Sequence, residues 1–247
     1  MRKVHVLLTK EELLLEKLAS GKKIAVVLDI LLATTTIVSA LEHGATEVIP
    51  VLNPEEAIHV SSQFETGKVL LAGELQAKPI DGFFYPGPVE INRIIRGRAL
   101  VLSTTNGTVA LRKAACANKV YISSLLNNAA VAEAALQEDQ DHTIVIICSG
   151  NSGQFSLEDF YGAGHFIANL TCRTHEEIEL NDAGKAALDF YTRYSSDQMQ
   201  ILGKSKVGQL LIDLGFKENL ILAGTSTCNI VPVLKDNQVV LTVAKEG

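Results

Sequence analysis

Three short segments gather the side chains whose types and spacing could do chemistry. In Asp29-Ile30-Leu31-Leu32-Ala33-Thr34-Thr35-Thr36 an acid precedes three hydroxyls. A carboxylate there can hold Mg²⁺, and Thr hydroxyls with first-turn N–H groups can hold phosphate oxygens. An ordinary Asp/Thr helix cap would look the same. Ser103-Thr104-Thr105-Asn106-Gly107-Thr108 concentrates small polar groups around a glycine, a nest for an anion or else a solvated turn. Ser149-Gly150-Asn151 opens a third segment, which runs to Glu158 and Asp159. Its glycines let backbone approach a ligand. Its two acids either complement a helix dipole or join Asp29 and Glu74 around a hard cation.

Other chemistries lack their signatures. No GxxxxGK[ST], strand-borne GxGxxG, HExxH or GxSxG occurs, and no Cys pair is spaced CxxC. Cys148 precedes a Ser/Gly-rich loop, but the Arg that a cysteine phosphatase would need six residues on is Gln154. Cys148 is therefore expected to be a buried strand-end thiol. His43, His59 and His175 read as surface residues.

The elements that must position these loops alternate. Strands are expected at Lys3–Leu8, Ile24–Ile30, Val48–Leu52, Val69–Ala72, Ala99–Leu102, Val120–Ser123, Thr143–Cys148, Leu220–Ala223 and Val239–Val243, with a further one over 231–235. Helices are expected from a Thr9/Glu12 capping box to Ala19, then at Thr34–His43, from Pro54, and at Pro88–Ile95, Thr108–Ala117, Asn127–Leu136, Ser156–Leu170, 181–194 and 204–213. Such alternation predicts an α/β fold, a three-layer α/β/α sandwich with a mostly parallel sheet. Ligands bind outside the carboxyl ends of strands in such sheets, and there the three segments fall. One domain over 1–247 is expected. A faint duplication relates residues 24–75 to 99–150: Thr34-Thr35 and Thr104-Thr105 lie 70 residues apart and share a following Ala-Leu.

Composition narrows the function. The chain has 247 residues, is 47% hydrophobic and carries 22 basic against 28 acidic side chains, a net charge of −6. That is too apolar for a disordered chain, and no basic stripe suggests nucleic acid. No stretch reads as a membrane span. Four unpaired cysteines fit a cytoplasmic protein. An anionic ligand must then be held by local devices rather than by net charge.

Read in order, Leu28-Asp29 with Ala33-Thr34-Thr35-Thr36, Ala72-Gly73-Glu74, Ser103 to Thr108, Gly153 to Phe160, Glu179 to Ala183 and Val231 to Leu234 resemble the 2-phosphosulfolactate phosphatase family. The resemblance implies a Mg²⁺-dependent hydrolase of a small anionic phosphoester. It would convert 2-phospho-3-sulfolactate to 3-sulfolactate and phosphate, a step of coenzyme M biosynthesis in some organisms. Asp29, Glu74, Glu158 and Asp159 would serve the metal and the chemistry. Thr34, Thr35, Thr36, Ser103, Thr104, Thr105, Asn106, Gly107, Thr108, Ser149, Gly150 and Asn151 would bind substrate. A homodimer is among the assemblies open to it. The family pattern has Arg where Leu32 and Leu75 stand, Gly-Asn-Ser-Pro at Tyr85-Pro86-Gly87-Pro88, and an Asp within Gly224–Asn229. These departures keep two alternatives in view. One is an impaired member that binds a small anion or a protein. The other is a phosphatase whose apolar wall of Leu32, Leu75, Phe83, Phe84 and Tyr85 accepts a less charged substrate.

Overall fold

The computed structural model describes residues 1–76 and 78–242. In chain order the elements are β1 (Arg2–Leu7), α1 (Leu15–Ala19), β2 (Lys23–Leu28), α2 (Ala33–Glu42), β3 (Val48–Val51), α3 (Pro54–Ser61), β4 (Val69–Leu75), β5 (Lys78–Pro79), α4 (Pro88–Asn92), β6 (Ala99–Ser103), α5 (Gly107–Ala114), β7 (Lys119–Ser123) and α6 (Asn128–Leu136). There follow β8 (Thr143–Cys148), α7 (Leu157–Thr171), β9 (Ile178–Leu180), α8 (Asp182–Tyr194), α9 (Gln198–Lys204), α10 (Lys206–Asp213), α11 (Lys217–Thr225), β10 (Pro232–Lys235) and β11 (Gln238–Leu241). Among the described residues no helix is long and apolar enough to cross a membrane.

The strands form one mixed sheet in the order β5-β4-β6-β3-β11-β10-β7-β2-β8-β1-β9. Two parallel groups, β4-β6-β3 and β7-β2-β8-β1-β9, are joined by the antiparallel hairpin β10-β11. The hairpin bridges each group at a single pair, Val233 with Tyr121 and Val239 with Val48. The chain crosses between groups twice. The successor of β2 lies beside β6, and the successor of β6 lies beside β2. The loops leaving β2 and β6 are thereby brought together.

Side-chain alternation along β2 shows why helices cover both faces. Ile24, Val26 and Leu28 enter one core, with residues of α6, α7 and α8. Ala25 and Val27 enter the other, with residues of α2 and α5. A smaller core of Ile49, Val51, Ala57 and Val101 lies beneath α3. The α/β sandwich is thus as expected, its sheet mixed.

Four sequence expectations change. Thr9 and Glu12 do not open a helix: the Leu8 N–H donates to Glu12 Oε2 at 3.1 Å, the Glu12 N–H to the Thr9 carbonyl at 3.2 Å, and α1 begins only at Leu15. That turn directs Lys10 inward. Leu220–Ala223 is helical, within α11. Asn219, Leu220 and Ala223 are its buried residues, a helical spacing that a four-residue apolar run cannot distinguish from a strand. Helix α9 and strand β9 were not anticipated. Val243, the end of the last expected strand, lies outside the described residues.

Candidate active site

Asp29 directly follows β2, and the loop behind it is wound onto its own backbone. Thr34 Oγ1 accepts from the Asp29 N–H and donates to the Asp29 carbonyl, both at 2.9 Å. Thr35 Oγ1 donates to the Ile30 carbonyl, and Thr36 Oγ1 to the Pro86 carbonyl. All three threonines are fully buried. Their hydroxyls shape the loop and face no cavity. The Ala33 N–H donates to Asp29 Oδ1 at 3.3 Å.

Glu74, near the end of β4, reaches the neighbouring loop. Its two carboxylate oxygens accept from the Thr105 N–H at 2.7 Å and the Thr105 hydroxyl at 3.0 Å. Thr104 and Thr108 cap one another: each N–H donates to the other's hydroxyl at 3.1 Å. Gly107 begins α5 where this helix meets α2. A Cβ there would lie 2.4 Å from Ala33 Cβ and 2.6 Å from Asp29 Oδ2. Only glycine lets the two helix starts approach so closely.

Two buried polar groups tie the loops together. Asp159 accepts from the Ile30 N–H at 2.8 Å and from the Gly150 N–H at 3.1 Å. Lys10, only 5% exposed, donates to Asn106 Oδ1 at 2.9 Å and to the Ser149 carbonyl at 3.3 Å, and pairs with Glu11 at 3.0 Å. Asn106 Oδ1 also accepts from the Ser152 N–H. The exits of β1, β2, β6 and β8 thus form one hydrogen-bonded unit.

A cavity of about 510 Å³ opens beside this unit. Of the expected site residues it is lined by Asp29, Glu74, Thr104, Thr105, Asn106 and Asn151. Thr34, Thr35, Thr36, Ser103, Gly107, Thr108, Ser149, Gly150, Glu158 and Asp159 are not part of its lining. Leu32 and Tyr85 line the cavity, whereas Leu75 is 60% exposed outside it. Phe83 and Phe84 are not part of the lining either.

The electrostatics favour a cation. Burial, with Glu74 and Glu158 nearby, pushes the Asp29 carboxyl up to about 7, against the pull of Lys10. Burial raises Glu158, opposed by the hydroxyls of Ser156 and Ser205. Burial, then Asp29 and Glu158, raises Asp159 well above the usual carboxylate range. Several carboxylates crowded in a dry place resist being charged together, and a bound cation relieves that strain. Asp29 and Glu74 supply hard oxygen donors, a set that fits a divalent cation. A different triplet, Asp139, Asp141 and His142, brings its ligand atoms within 4.8 Å of one another. It precedes β8, at the sheet end opposite the cavity, and Lys22 Nζ lies 2.8 Å from Asp141. Cys148 is buried with its thiol raised well above the ordinary value, as expected of a structural thiol.

Sequence reasoning missed Lys10 and the far wall of the cavity. The exit of β1 carries Thr9-Lys10, and a lysine at a strand exit was the available signal. The far wall is α10, which contributes Lys206, Val207, Gln209, Leu210, Leu211 and Asp213.

Asp29, Glu74 and small polar loops lining a cavity at the carboxyl ends of an α/β sheet make a site suited to an anionic ligand bound with a cation. The chain belongs to the 2-phosphosulpholactate phosphatase family, whose sequence profile matches residues 7–237. It is 40% identical over 222 residues to a protein of Symbiobacterium thermophilum named "Probable 2-phosphosulfolactate phosphatase", covering 89% of this chain and 94% of that one. A protein of the same name from Clostridium perfringens strain SM101 is 41% identical over 203 residues, 80% of each chain. One from Caldanaerobacter subterraneus is 37% identical over 218 residues, 87% of this chain and 89% of that one.

Proposed function

We propose that the protein hydrolyses 2-phospho-3-sulfolactate to 3-sulfolactate and phosphate with Mg²⁺ at Asp29 and Glu74. The observation that carries this reading is that two carboxylates, Asp29 and Glu74, line the cavity together with Thr104–Asn106 and Asn151. The metal, when bound, supplies Lewis-acid polarisation of the phosphoryl oxygens and neutralises part of their charge. The chain's own residues do the rest. The side chains of Thr104, Asn106 and Asn151 receive the phosphoryl oxygens and fix the direction of approach. Thr105 holds Glu74 in place from both its N–H and its hydroxyl. Asp159 and Lys10 keep the loops at fixed spacing, so little reorganisation is needed when charge develops. Glu158 and Asp159 are positioning residues in this reading, since neither lines the cavity.

The test is phosphate release from 2-phospho-3-sulfolactate. It is expected to require Mg²⁺, to stop on chelation, and to fall by at least 10²-fold in Asp29→Asn. Activity that persists in that variant would remove Asp29 from the mechanism.

One observation favours a second reading, a phosphatase for a less charged ester. Leu31, Leu32, Val207, Leu210 and Leu211 make part of the cavity wall apolar. Faster turnover of a phosphomonoester with an uncharged tail, in a side-by-side screen, would select it.

A further inference from the structure

We propose that Lys206 is the residue that selects the non-phosphoryl end of the substrate, pairing with an anionic group there. The proposal rests on the hydrolase reading above for which end of the substrate meets the carboxylates. Among the described residues lining the cavity, Lys206 is the one with a positive charge, against Asp29, Glu74 and Asp213. Its ammonium makes no ion pair with another described residue, so it has a charge to offer. Lys10, buried beside the same loops, is already engaged by Asn106, Ser149 and Glu11.

Helix α10 gives the choice a direction. Lys206 is its first residue and Asp213 its last, and both line the cavity. At 1.5 Å of rise per residue they stand roughly 10 Å apart along the helix. A substrate whose phosphoryl group sits at Asp29 and Glu74 can lay its tail toward either end of α10. A sulfonate or carboxylate is attracted at the Lys206 end and repelled at the Asp213 end. The apolar side chains of Leu210 and Leu211 lie between them and offer an anion no partner. Lys206 is exposed, so the contact is partly screened and an effect of about tenfold is expected rather than a thousandfold.

The experiment measures binding of 3-sulfolactate and of inorganic phosphate, separately, to the Mg²⁺-loaded protein by calorimetry. Lys206→Ala is expected to weaken 3-sulfolactate about tenfold and to leave phosphate within about twofold. Lys206→Arg is expected to restore most of the loss. Asp213→Asn is expected to bind 3-sulfolactate as well as the parent or better. Equal affinity of Lys206→Ala and parent for 3-sulfolactate overturns the proposal. So does a parallel loss of phosphate, or a parent that does not bind 3-sulfolactate. Phosphate release is scored on the same preparations. A protein that binds 3-sulfolactate through Lys206 yet releases no phosphate breaks the hydrolase reading and upholds the binding role of Lys206.

Discussion

Gly107→Ala tests whether the approach of α2 and α5 builds the site. The added Cβ would meet Ala33 Cβ at 2.4 Å and Asp29 Oδ2 at 2.6 Å, with Asp29 Cβ at 3.1 Å. None of these is the far end of a flexible chain. Ala33 is the first residue of α2, and Asp29 is held by Ala33 and by both bonds from Thr34. Relief therefore needs a shift of roughly 1 Å in one helix start or the other. Overpacking of this kind costs about 1–3 kcal/mol. Alanine gains at most about 1 kcal/mol over glycine within a helix, and less at its first position. The net expectation is a loss of about 1–2 kcal/mol in urea unfolding at unchanged slope. The effect on turnover should be larger. A displacement near 1 Å of a group in the chemistry can cost about 10²-fold. Unfolding midpoint and kcat are measured on the same preparation, with Gly203→Ala as a control, because a Cβ at Gly203 meets nothing within 4 Å. A Gly107→Ala protein as active as the control would refute the claim that the two helix starts meet around Asp29.

Three further outcomes follow from the same geometry. Asp159→Asn keeps the size of the side chain but leaves one amide oxygen for two N–H donors, those of Ile30 and Gly150. It should cost about 1–3 kcal/mol in chemical denaturation and raise hydrogen exchange at those two amides. Lys10→Met removes the charge that bonds Asn106 and Ser149. It should lower kcat by tenfold or more, while circular dichroism shows the fold retained. The third concerns pH. The folded-state carboxyls of Asp29, Glu158 and Asp159 are all raised, so the native chain holds protons that the unfolded chain has already released. Stability of the metal-free protein should fall as pH rises from about 4 through 7. Mg²⁺ should therefore raise Tm more at pH 8 than at pH 5, a contrast that calorimetry reads directly.

Much of the fold is legible in the sequence because its central strands are short β-branched runs between turn signals. Lys23–Leu28 and Thr143–Cys148 carry that pattern, and burial on both faces explains it. The C-terminal third is less legible. Leu220–Ala223 is too short for its period to show, and only the packing of α11 decides it. The Thr9/Glu12 pair has the residues of a capping box, but the buried ammonium of Lys10 requires a turn there. Sheet order was not legible at all. Which strand follows which says nothing of the exchange that sets β3 beside β6 and β7 beside β2.

That exchange also explains which parts of the site could be read. Of the expected residues, Asp29, Glu74 and the segment 104–106 line the cavity, and each stands at the exit of a recognisable strand. Thr34, Thr35 and Thr36 carry the right chemistry, yet their hydroxyls close onto carbonyls at Asp29, Ile30 and Pro86. A hydroxyl in the first turn of a helix can fold the preceding loop or face the ligand, and local sequence is the same in both cases.

The charge question resolves in the same way. In the proposed function a chain of net charge −6 brings an anion beside Asp29 and Glu74. Reading along the motifs suggested a shortage of cations, since Leu32 and Leu75 stand where the family resemblance implies Arg. Yet Leu75 is largely exposed and is not part of the cavity lining. Positive charge enters from two distant places instead. Lys10 comes from the first turn of the chain and Lys206 from its last third. The first is bound into the loops and opposes the upward push of burial on the Asp29 carboxyl; the second lines the cavity from α10. Charge at short range outweighs net charge at a distance, because salt screens the latter beyond about 8–10 Å. Raising the salt concentration should therefore weaken binding at the exposed Lys206 while leaving the buried Lys10 contacts intact.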